Sequence, residues 1–354
     1  MSVRPITDAY EQDISKLMNP GTERRHSLRG FDADYVDIVD YIIRCTHKIW
    51  DERAIGLIYT HYNHNAIVHT DYGTTNGVEP VVKSTLQAQA ASPDGHAFAD
   101  DVIWGGNDVD GFYTSHRWSS IGHETGYSTS QPPTGRLALR HGVADCFIKE
   151  NRIIEEWLFR DEIGAVRQLG LDPKQVVAEL VRNGAKEWMN LEPRGDIERL
   201  RGQQPPLIMP PKKSEGFDVE DFVRRSYHEI WNWRLLNKVD TYYAKNHLCH
   251  MTGQRELYGR AAMGYFITCL LAMFPDGAME IDHLCWLGND KDGYRVAVRW
   301  TFRGTHEGNG VYGKPTGKCA QFAGVSHHHI KNGQYVQEWT LFGEIALMVQ
   351  LACR

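Results

Sequence analysis

A carboxyl group next to an aromatic strand face is one arrangement in this sequence that could support acid–base chemistry. Asp161 ends a predicted strand that carries Trp157 and Phe159 at alternate positions, and a strand directs alternate side chains to one face. Burial beside aromatic rings raises the pKa of a carboxyl group toward neutrality, where it can both donate and accept a proton. The alternative is a surface aspartate that pairs with Arg140 or Arg160.

Three histidines are candidates to orient or protonate a substrate oxygen. His69 and His250 end two equivalent short strands, and His116 lies on a later strand. Imidazole changes its charge near neutral pH, so a histidine in a cavity can take part in proton transfer. The alternative for His69 and His250 is a packed side chain that is bonded to the backbone.

Two arginines could bind an anionic group of a ligand. Arg117 stands beside Trp118, and Arg299 occupies the equivalent position further along the chain. An inward-pointing arginine could hold a carboxylate or an enolate oxygen. A structural ion pair with Glu156 or Glu338 explains these arginines equally well. Further candidates for ligand contact are polar or aromatic residues of the neighbouring strands: His141, Asp145 and Trp339.

A run of three histidines suggests a metal site. His327 and His329 point the same way on a strand, and a two-residue turn at Asn332–Gly333 places His327 opposite Glu338. Two imidazoles and a carboxylate could hold zinc or iron. The favoured alternative is that these histidines form a polar cavity wall. A similar segment earlier in the chain has Asp145 at the position that corresponds to His327.

The segments that position these residues occur twice. His47–Trp50 recurs as His228–Trp231, and Pro133–Glu162 aligns without a gap with Pro315–Glu344. Such an ordered recurrence indicates duplication of a whole domain. We therefore predict two copies, at 31–190 and 216–354, joined by a proline-rich linker over 191–215. An N-terminal arm, residues 1–30, precedes the first copy, and we expect it to lie on the surface or to pack across the other domain.

Each copy has the pattern of an α+β domain. Apolar spacing predicts a helix over 35–61, a strand at 67–69 and a second helix over 78–91, with the equivalent helix at 260–274. Antiparallel strands with Asp-Gly and Asn-Gly turns follow. A further helix over 173–189 closes the first copy.

Composition limits the classes of partner and location. The net charge of −6 argues against nucleic acid and anionic membranes, and no apolar run is long enough to span a bilayer. The first residues lack a signal peptide pattern, and the seven cysteines include no C-x-x-C pair. We expect a cytoplasmic protein with reduced thiols that binds a small molecule.

Several short motifs resemble the SnoaL-like polyketide cyclase family, which has the fold of nuclear transport factor two and ketosteroid isomerase. The first copy carries Pro93-Asp94, Pro132–Gly135, Glu156-Trp157, Asp161 and Gln168–Gly170. The second copy carries Gly304–Gly308 (Gly-Thr-His-Glu-Gly), Pro315–Gly317 and Glu338-Trp339. The resemblance implies two tandem cone-shaped α+β barrel domains, with helices packed on a curved antiparallel sheet.

The resemblance also implies a reaction. Members of the family close a ring by intramolecular aldol condensation, with an aspartate as general acid and base and without metal or cofactor. Asp161 matches that aspartate, whereas the second copy has Gly343 there. In the first copy the Gly-Thr-His-x-Gly motif is altered to Ile121–Gly126. The two copies are therefore expected to have specialised.

Three functions follow, in order of preference. The first is a cofactor-independent cyclase, isomerase or dehydratase that acts on a small carbonyl compound, with Asp161 as acid and base and with His69, His116 or Arg117 polarising the carbonyl. The second is a small-molecule-binding protein without catalysis. The third is a metal-dependent lyase built on His327 and His329. Because this fold commonly dimerises, we expect the two copies to form an intramolecular pseudo-dimer, and a further homodimer remains open.

Overall fold

The chain folds into two compact units in a computed structural model. The model describes residues 5–10, 12–128, 132–185 and 216–353, together with Met189 and Met209. The units comprise residues 1–176 and 177–354. The predicted linker lies outside the described residues except for Met209, so its boundaries stay a prediction. Among the described residues, no helix is both long and apolar enough to cross a membrane.

The first unit packs helices on one six-stranded sheet. Its helices are α1 (Ile14–Leu17), α2 (Ile38–Trp50), α3 (Ile58–His61), α4 (Val78–Ala91) and α5 (Glu162–Gln168), and α6 (Pro173–Arg182) begins in this unit and crosses the division after residue 176. Its strands are β1 (Tyr62–Thr70), β2 (Gly73–Asn76), β3 (His96–Asn107), β4 (Gly111–His123), β5 (Leu137–Lys149) and β6 (Arg152–Arg160). The helix predicted over 78–91 is confirmed, as is the α+β class.

The second unit repeats this arrangement. Its helices are α7 (Val219–Tyr227), α8 (Val239–Tyr242), α9 (Gly259–Met273) and α10 (Glu344–Ala352). Its strands are β7 (Tyr243–Met251), β8 (Arg255–Tyr258), β9 (Ala278–Asn289), β10 (Gly293–Thr305), β11 (Cys319–Lys331) and β12 (Gln334–Phe342). A single π-helical turn, His228–Asn232, continues α7.

Both sheets have the same strand order, and both are mixed. The orders are β2-β1-β6-β5-β4-β3 and β8-β7-β12-β11-β10-β9. The sequence predicted purely antiparallel sheets, but β1 pairs parallel with β6, and β7 pairs parallel with β12. This pairing brings the first and last strands of each unit together, because the chain returns to the start of the sheet before its final helix.

The helix predicted over 35–61 is broken in the structure. Arg53 has a positive φ of 62°, which an α-helix does not allow, and a 3-10 turn and the short α3 follow it. The Arg53 guanidinium donates a hydrogen bond to the carbonyl oxygen of Pro93 at 2.5 Å. Arg234 repeats both features in the second unit, with a φ of 57° and a bond of 2.7 Å to Pro275. The break therefore occurs at the equivalent position of both units.

The described part of the N-terminal arm packs on its own unit. Leu17 and Leu28 are buried in the same core as Val39 of α2. The Asp37 side chain caps α2 by accepting a hydrogen bond from the Asp40 amide at 2.9 Å, and it also accepts one from the Thr7 amide at 2.8 Å. The arm therefore supports the helix that forms one wall of the first unit.

The last hairpin of the second unit differs from the prediction by one residue. Its Asn332-Gly333 turn forms as expected, but an irregularity between His329 and Ile330 shifts the register. His328 therefore lies opposite Glu338, and His327 lies opposite Trp339. The predicted pairing of His327 with Glu338 is wrong because a β-bulge inserts one unpaired residue.

Candidate active site

The first unit encloses a cavity of about 410 Å³ between its helices and its sheet. One wall is apolar and comes mainly from α2, α3, α4 and β1; it includes Ile42, Ile49, Ile58, Val68 and Val81. Ile42 and Ile49 are seven residues apart on α2 and therefore share one face of that helix, whose burial also builds the unit's core. The cavity thus has a hydrophobic side that can hold the carbon skeleton of a ligand.

The polar wall comes from the inner faces of β4, β5 and β6 and from the residue that follows β6. His116, Arg140, Glu156, Arg160 and Asp161 line it. Alternation on each strand explains the set, because Arg140 shares a face with Ala144, and Glu156 shares one with Arg160. Several charged groups therefore converge on an otherwise apolar space.

His116 is the most deeply placed histidine of this wall. It lies in the middle of β4, between Val102 and Ala144, and only 2% of it is exposed. Its Nε2 has no hydrogen-bond partner among the described residues. Burial, and secondly the charge of Arg117, lower the pKa of His116 to about 4. The imidazole is therefore neutral at pH 7.

Asp161 is buried and begins the helix after β6. Its Oδ1 accepts a hydrogen bond from the Gly164 amide at 3.0 Å, which makes it the N-cap of α5. Its own amide donates to the carbonyl oxygen of His141 at 2.9 Å. With 4% exposure, Asp161 is not the surface aspartate of the alternative interpretation. It lines the cavity because the strand ends there.

Asp161 does not share a face with the aromatic residues expected beside it. Glu156 and Leu158 of β6 line the cavity, whereas Trp157 and Phe159 point away from it. Two-residue alternation correctly places Trp157 and Phe159 on one face of β6. Asp161 comes after the last residue of the strand, so the alternation does not apply to it. The aromatic wall of the cavity comes instead from Trp50 and Trp118.

Glu156 is a cavity carboxyl that sequence reasoning assigned only to a structural ion pair with Arg117. Its Oε2 accepts a hydrogen bond from the Tyr62 hydroxyl at 3.0 Å, and Arg117 instead pairs with Asp100 at 3.6 Å. Burial raises the pKa of Glu156, although the Tyr62 hydrogen bond and the charge of Arg160 oppose this change. The signals for Glu156 in the sequence were its four-residue spacing from Arg160, which puts both on one strand face, and its place in the Glu156-Trp157 motif.

A buried ion pair explains the altered motif of the first copy. Glu124 stands where the second unit has His306, and it pairs with Arg140 at the cavity wall. In the second unit His306 instead packs on Phe274, with ring centroids 5.4 Å apart. Burial, and secondly Arg160, lower the pKa of Arg140. The first unit thus has Glu124 together with Arg140, which it neutralises, whereas the second unit has His306 together with Phe322.

Other predicted site residues lie on the opposite face of the sheet. His69 stacks on Trp157 at 5.1 Å, and its Nε2 lies 2.6 Å from the Glu155 carboxylate. His250 stacks on Trp339 in the same way at 5.2 Å. The shared arrangement favours a packing role for both histidines. Among the remaining candidates, Trp118 and His141 line the cavity. Five others line neither this cavity nor the smaller cavity of the second unit: Arg117, Asp145, Arg299, His327 and His329.

The second unit retains only about 20 Å³ of this cavity. Three phenylalanines replace polar cavity residues at equivalent positions: Phe302 for Ser120, Phe322 for Arg140 and Phe342 for Arg160. Phe322 packs against Phe302 at 5.1 Å and against Phe342 at 5.5 Å. Gly343 stands in place of Asp161, so the second unit lacks both the space and the carboxyl group of the first.

Comparison with protein families gives a match to the second unit. Residues 221–351 match the family of SnoaL-like polyketide cyclases. No curated protein sequence matches the chain.

Several solved structures resemble this chain over a length close to one unit. A protein described as a SnoaL-like polyketide cyclase from Jannaschia sp. CCS1 is 15% identical, with 38% of this chain and 92% of that chain covered and a TM-score of 0.35. One described as a polyketide cyclase from Acidithiobacillus ferrooxidans is 20% identical, with 39% and 97% covered and a TM-score of 0.33. A SnoaL-like polyketide cyclase from Agrobacterium tumefaciens strain C58 is 17% identical, with 38% and 99% covered and a TM-score of 0.32.

The strand order of the two units and the family match agree with the internal repeat. The chain is therefore a tandem pair of α+β units with one strand order, and residues 221–351 of the second unit match the model of the SnoaL-like polyketide cyclase family.

Proposed function

We propose that the first unit is a cofactor-independent acid–base enzyme that acts on a small carbonyl compound by cyclisation, isomerisation or dehydration. The observation that carries this proposal is the cavity of about 410 Å³, whose polar wall holds both Asp161 and His116. Small-molecule sites usually have volumes of about 300–1,000 Å³, mostly apolar walls and a few convergent polar groups. The first unit meets all three conditions.

In this proposal Asp161 is the general acid and base. Its carboxylate removes a proton from the carbon next to the substrate carbonyl and later returns a proton to the product. One carboxylate oxygen remains bonded to the Gly164 amide, which holds the side chain in place while the group works. A fixed carboxylate loses little entropy on reaching the reactive geometry.

The neutral imidazole of His116 would receive the substrate carbonyl. Removal of the proton from carbon places negative charge on the carbonyl oxygen, and an Nε2–H that donates to this oxygen stabilises the enolate. The guanidinium groups of Arg140 and Arg160 on the same wall add positive potential. The Glu124 carboxylate pairs with Arg140, and Arg160 lies close to the carboxyl groups of Glu156 and Glu162.

The second unit would have a supporting role. Its interior is filled by aromatic side chains, and Gly343 offers no carboxyl group. A non-catalytic binding protein is the alternative for the first unit, and the helix cap of Asp161 favours it because capping alone explains that residue. The cytoplasmic location and the intramolecular pseudo-dimer also stay predictions.

Turnover by the full chain separates the two functions. The chain would be incubated with linear and cyclic carbonyl compounds of polyketide type, and products would be followed by liquid chromatography and mass spectrometry. We expect Asp161→Asn to lower kcat by about 10²–10⁴-fold, because general acid–base catalysis contributes about that much. Asp172→Asn is the matched control, since exposed Asp172 accepts a hydrogen bond from the Lys174 amide outside the cavity. An Asp161→Asn variant with unchanged kcat would leave binding as the function.

A further inference from the structure

We propose that the second unit binds a divalent cation, with zinc the best fit, through His247, Cys249 and Glu338, with His328 beside the carboxylate. All four side chains are buried in the interior of this unit. They combine nitrogen, sulfur and oxygen donors, which is the ligand mixture that zinc accepts. This site is separate from the cavity of the first unit, and the inference does not depend on the function proposed there.

The topology of the sheet brings the four residues together. His247 and Cys249 are two residues apart on β7 and share one of its faces. Cys249 is the parallel neighbour of Glu338 on β12, and His328 is the antiparallel neighbour of Glu338 on β11. The glutamate thus lies on the central strand of three, with donor groups on both sides.

The distances between donor atoms suit a shared ion. The Glu338 Oε2 lies 3.6 Å from His247 Nε2 and 3.3 Å from His328 Nδ1. Donor atoms of His247, Cys249 and Glu338 all lie within 4.8 Å of one another. Bonds of about 2.0–2.3 Å in a tetrahedral zinc site separate the donors by about 3.3–3.8 Å. The two separations from Glu338 Oε2 match this range, and the donor atoms of His247, Cys249 and Glu338 form the group that can share one ion.

Three of these atoms lack hydrogen bonds although they are buried. Among the described residues, His247 Nε2, His328 Nδ1 and Glu338 Oε2 have no hydrogen-bond partner. Buried polar atoms without partners are uncommon and costly. Both imidazole nitrogens lie within 3.6 Å of Glu338 Oε2, so a cation bound by Glu338 and His247 would satisfy two of these atoms and lie close to the third.

The tautomer of His247 strengthens this interpretation. His247 Nδ1 lies 3.2 Å from the carbonyl oxygen of Tyr335, and a carbonyl only accepts, so Nδ1 carries the proton. The Nε2 lone pair of a neutral His247 then faces the Glu338 carboxylate, which is also an acceptor. Two acceptors that face each other at 3.6 Å repel, and a cation between them turns this repulsion into attraction.

Surrounding groups hold the ligands in orientation. The Tyr227 hydroxyl lies 2.8 Å from His328 Nε2, and the Thr340 hydroxyl donates to Glu338 Oε1 at 2.5 Å. Metal-binding histidines usually use their second nitrogen in such a contact, which fixes the ring and the tautomer. Tyr335 supplies the same contact to His247.

The first unit provides an internal comparison. Ala66, Val68 and Cys146 stand at the positions of His247, Cys249 and His328. Only the carboxylate is shared, as Glu156, and there the Tyr62 hydroxyl binds it. Three donor residues therefore occur together in the second unit at one place in space, although they are far apart in the sequence.

Cobalt and zinc binding by the full chain tests the proposal. Metal-stripped protein would be titrated with Co²⁺ and its absorption spectrum recorded, and its zinc content would be measured after dialysis against zinc. We expect one ion per chain and a thiolate-to-cobalt charge-transfer band. Cys249→Ser should abolish the band, and His247→Gln should lower cation affinity by at least about tenfold. Cys269→Ser, outside the cluster, is the matched control and should keep both.

The wild-type chain alone also decides the question if a variant fails to fold. A cation that binds only the folded state raises the unfolding temperature as its concentration rises. Zinc should therefore raise the unfolding temperature of the stripped wild-type chain. Absence of cobalt and zinc uptake, or a charge-transfer band that persists in folded Cys249→Ser protein, would overturn the proposed site. The first of these results would mean that Glu338 is instead neutralised by protonated histidine.

Discussion

Asp161 Oδ1 accepts a hydrogen bond from the Gly164 amide at 3.0 Å, so the carboxyl group of the cavity is also the N-cap of α5. One side chain thus holds the start of a helix and faces the space where a ligand would bind. These two roles can be separated by substitution, because asparagine caps a helix about as well as aspartate does.

Asp161→Asn and Asp161→Ala should therefore differ in stability. We expect Asp161→Asn to change the free energy of unfolding by less than about 0.5 kcal/mol, whereas Asp161→Ala should lower it by about 0.5–2 kcal/mol through loss of the cap. Urea unfolding of both variants beside the wild-type chain measures this difference. Equal stability of the two variants would show that the cap contributes nothing.

Gly164→Ala should disturb Asp161 without removing its carboxyl group. A Cβ at position 164 would lie 2.2 Å from Asp161 Oδ2, so the carboxylate has to move. We expect a loss of turnover that approaches that of Asp161→Asn. Gly56→Ala is the matched control, because a Cβ there meets no atom within 4 Å. Full turnover by Gly164→Ala would argue against a position-sensitive role for Asp161.

Ser120→Phe should close the cavity of the first unit as Phe302 does in the second. We expect loss of ligand-induced thermal stabilisation with a small change in the stability of the free chain, because the new ring enters existing space. The reverse substitution, Phe302→Ala, should lower the free energy of unfolding by about 3–5 kcal/mol, since it opens a cavity in a packed core. Ligand binding that survives Ser120→Phe would place the binding site elsewhere.

His116 should make the stability of the chain depend on pH. Its pKa falls from 6.5 to about 4 on folding, so the unfolded chain binds a proton more readily between these values. Stability should therefore decrease as pH falls from about 6.5 toward 4, by up to about 3 kcal/mol for this group. His283, whose pKa is also lowered to about 4, acts in the same direction, so the wild-type chain must be compared with His116→Gln.

Urea unfolding at pH 7 and pH 5 gives this comparison. We expect the wild-type chain to lose more stability over this interval than His116→Gln does, because His283 contributes equally to both. Identical losses would mean that His116 is protonated in the folded chain as readily as in the unfolded chain, and its proposed neutral state would then be wrong.

The filled interior of the second unit was not predicted from the sequence, because residue type alone does not give the volume of a cavity. The aligned copies do differ there, since phenylalanine stands at three positions where the first copy has serine or arginine. The same alignment shows that His247 and Cys249 are particular to the second copy. It does not show that they meet His328 and Glu338, because β7 and β12 are nearly a hundred residues apart.

The duplication, the α+β class and the family resemblance followed from the sequence alone, since motif order and apolar spacing are local properties of the chain. Which face of each strand lines the cavity did not follow from the sequence. Alternation groups Trp157 with Phe159 and Glu156 with Arg160, but only packing against the helices decides which group faces inward. Likewise a single bulge placed His328 rather than His327 beside Glu338. Register and facing depend on contacts between distant segments, and such contacts exist only in the folded protein.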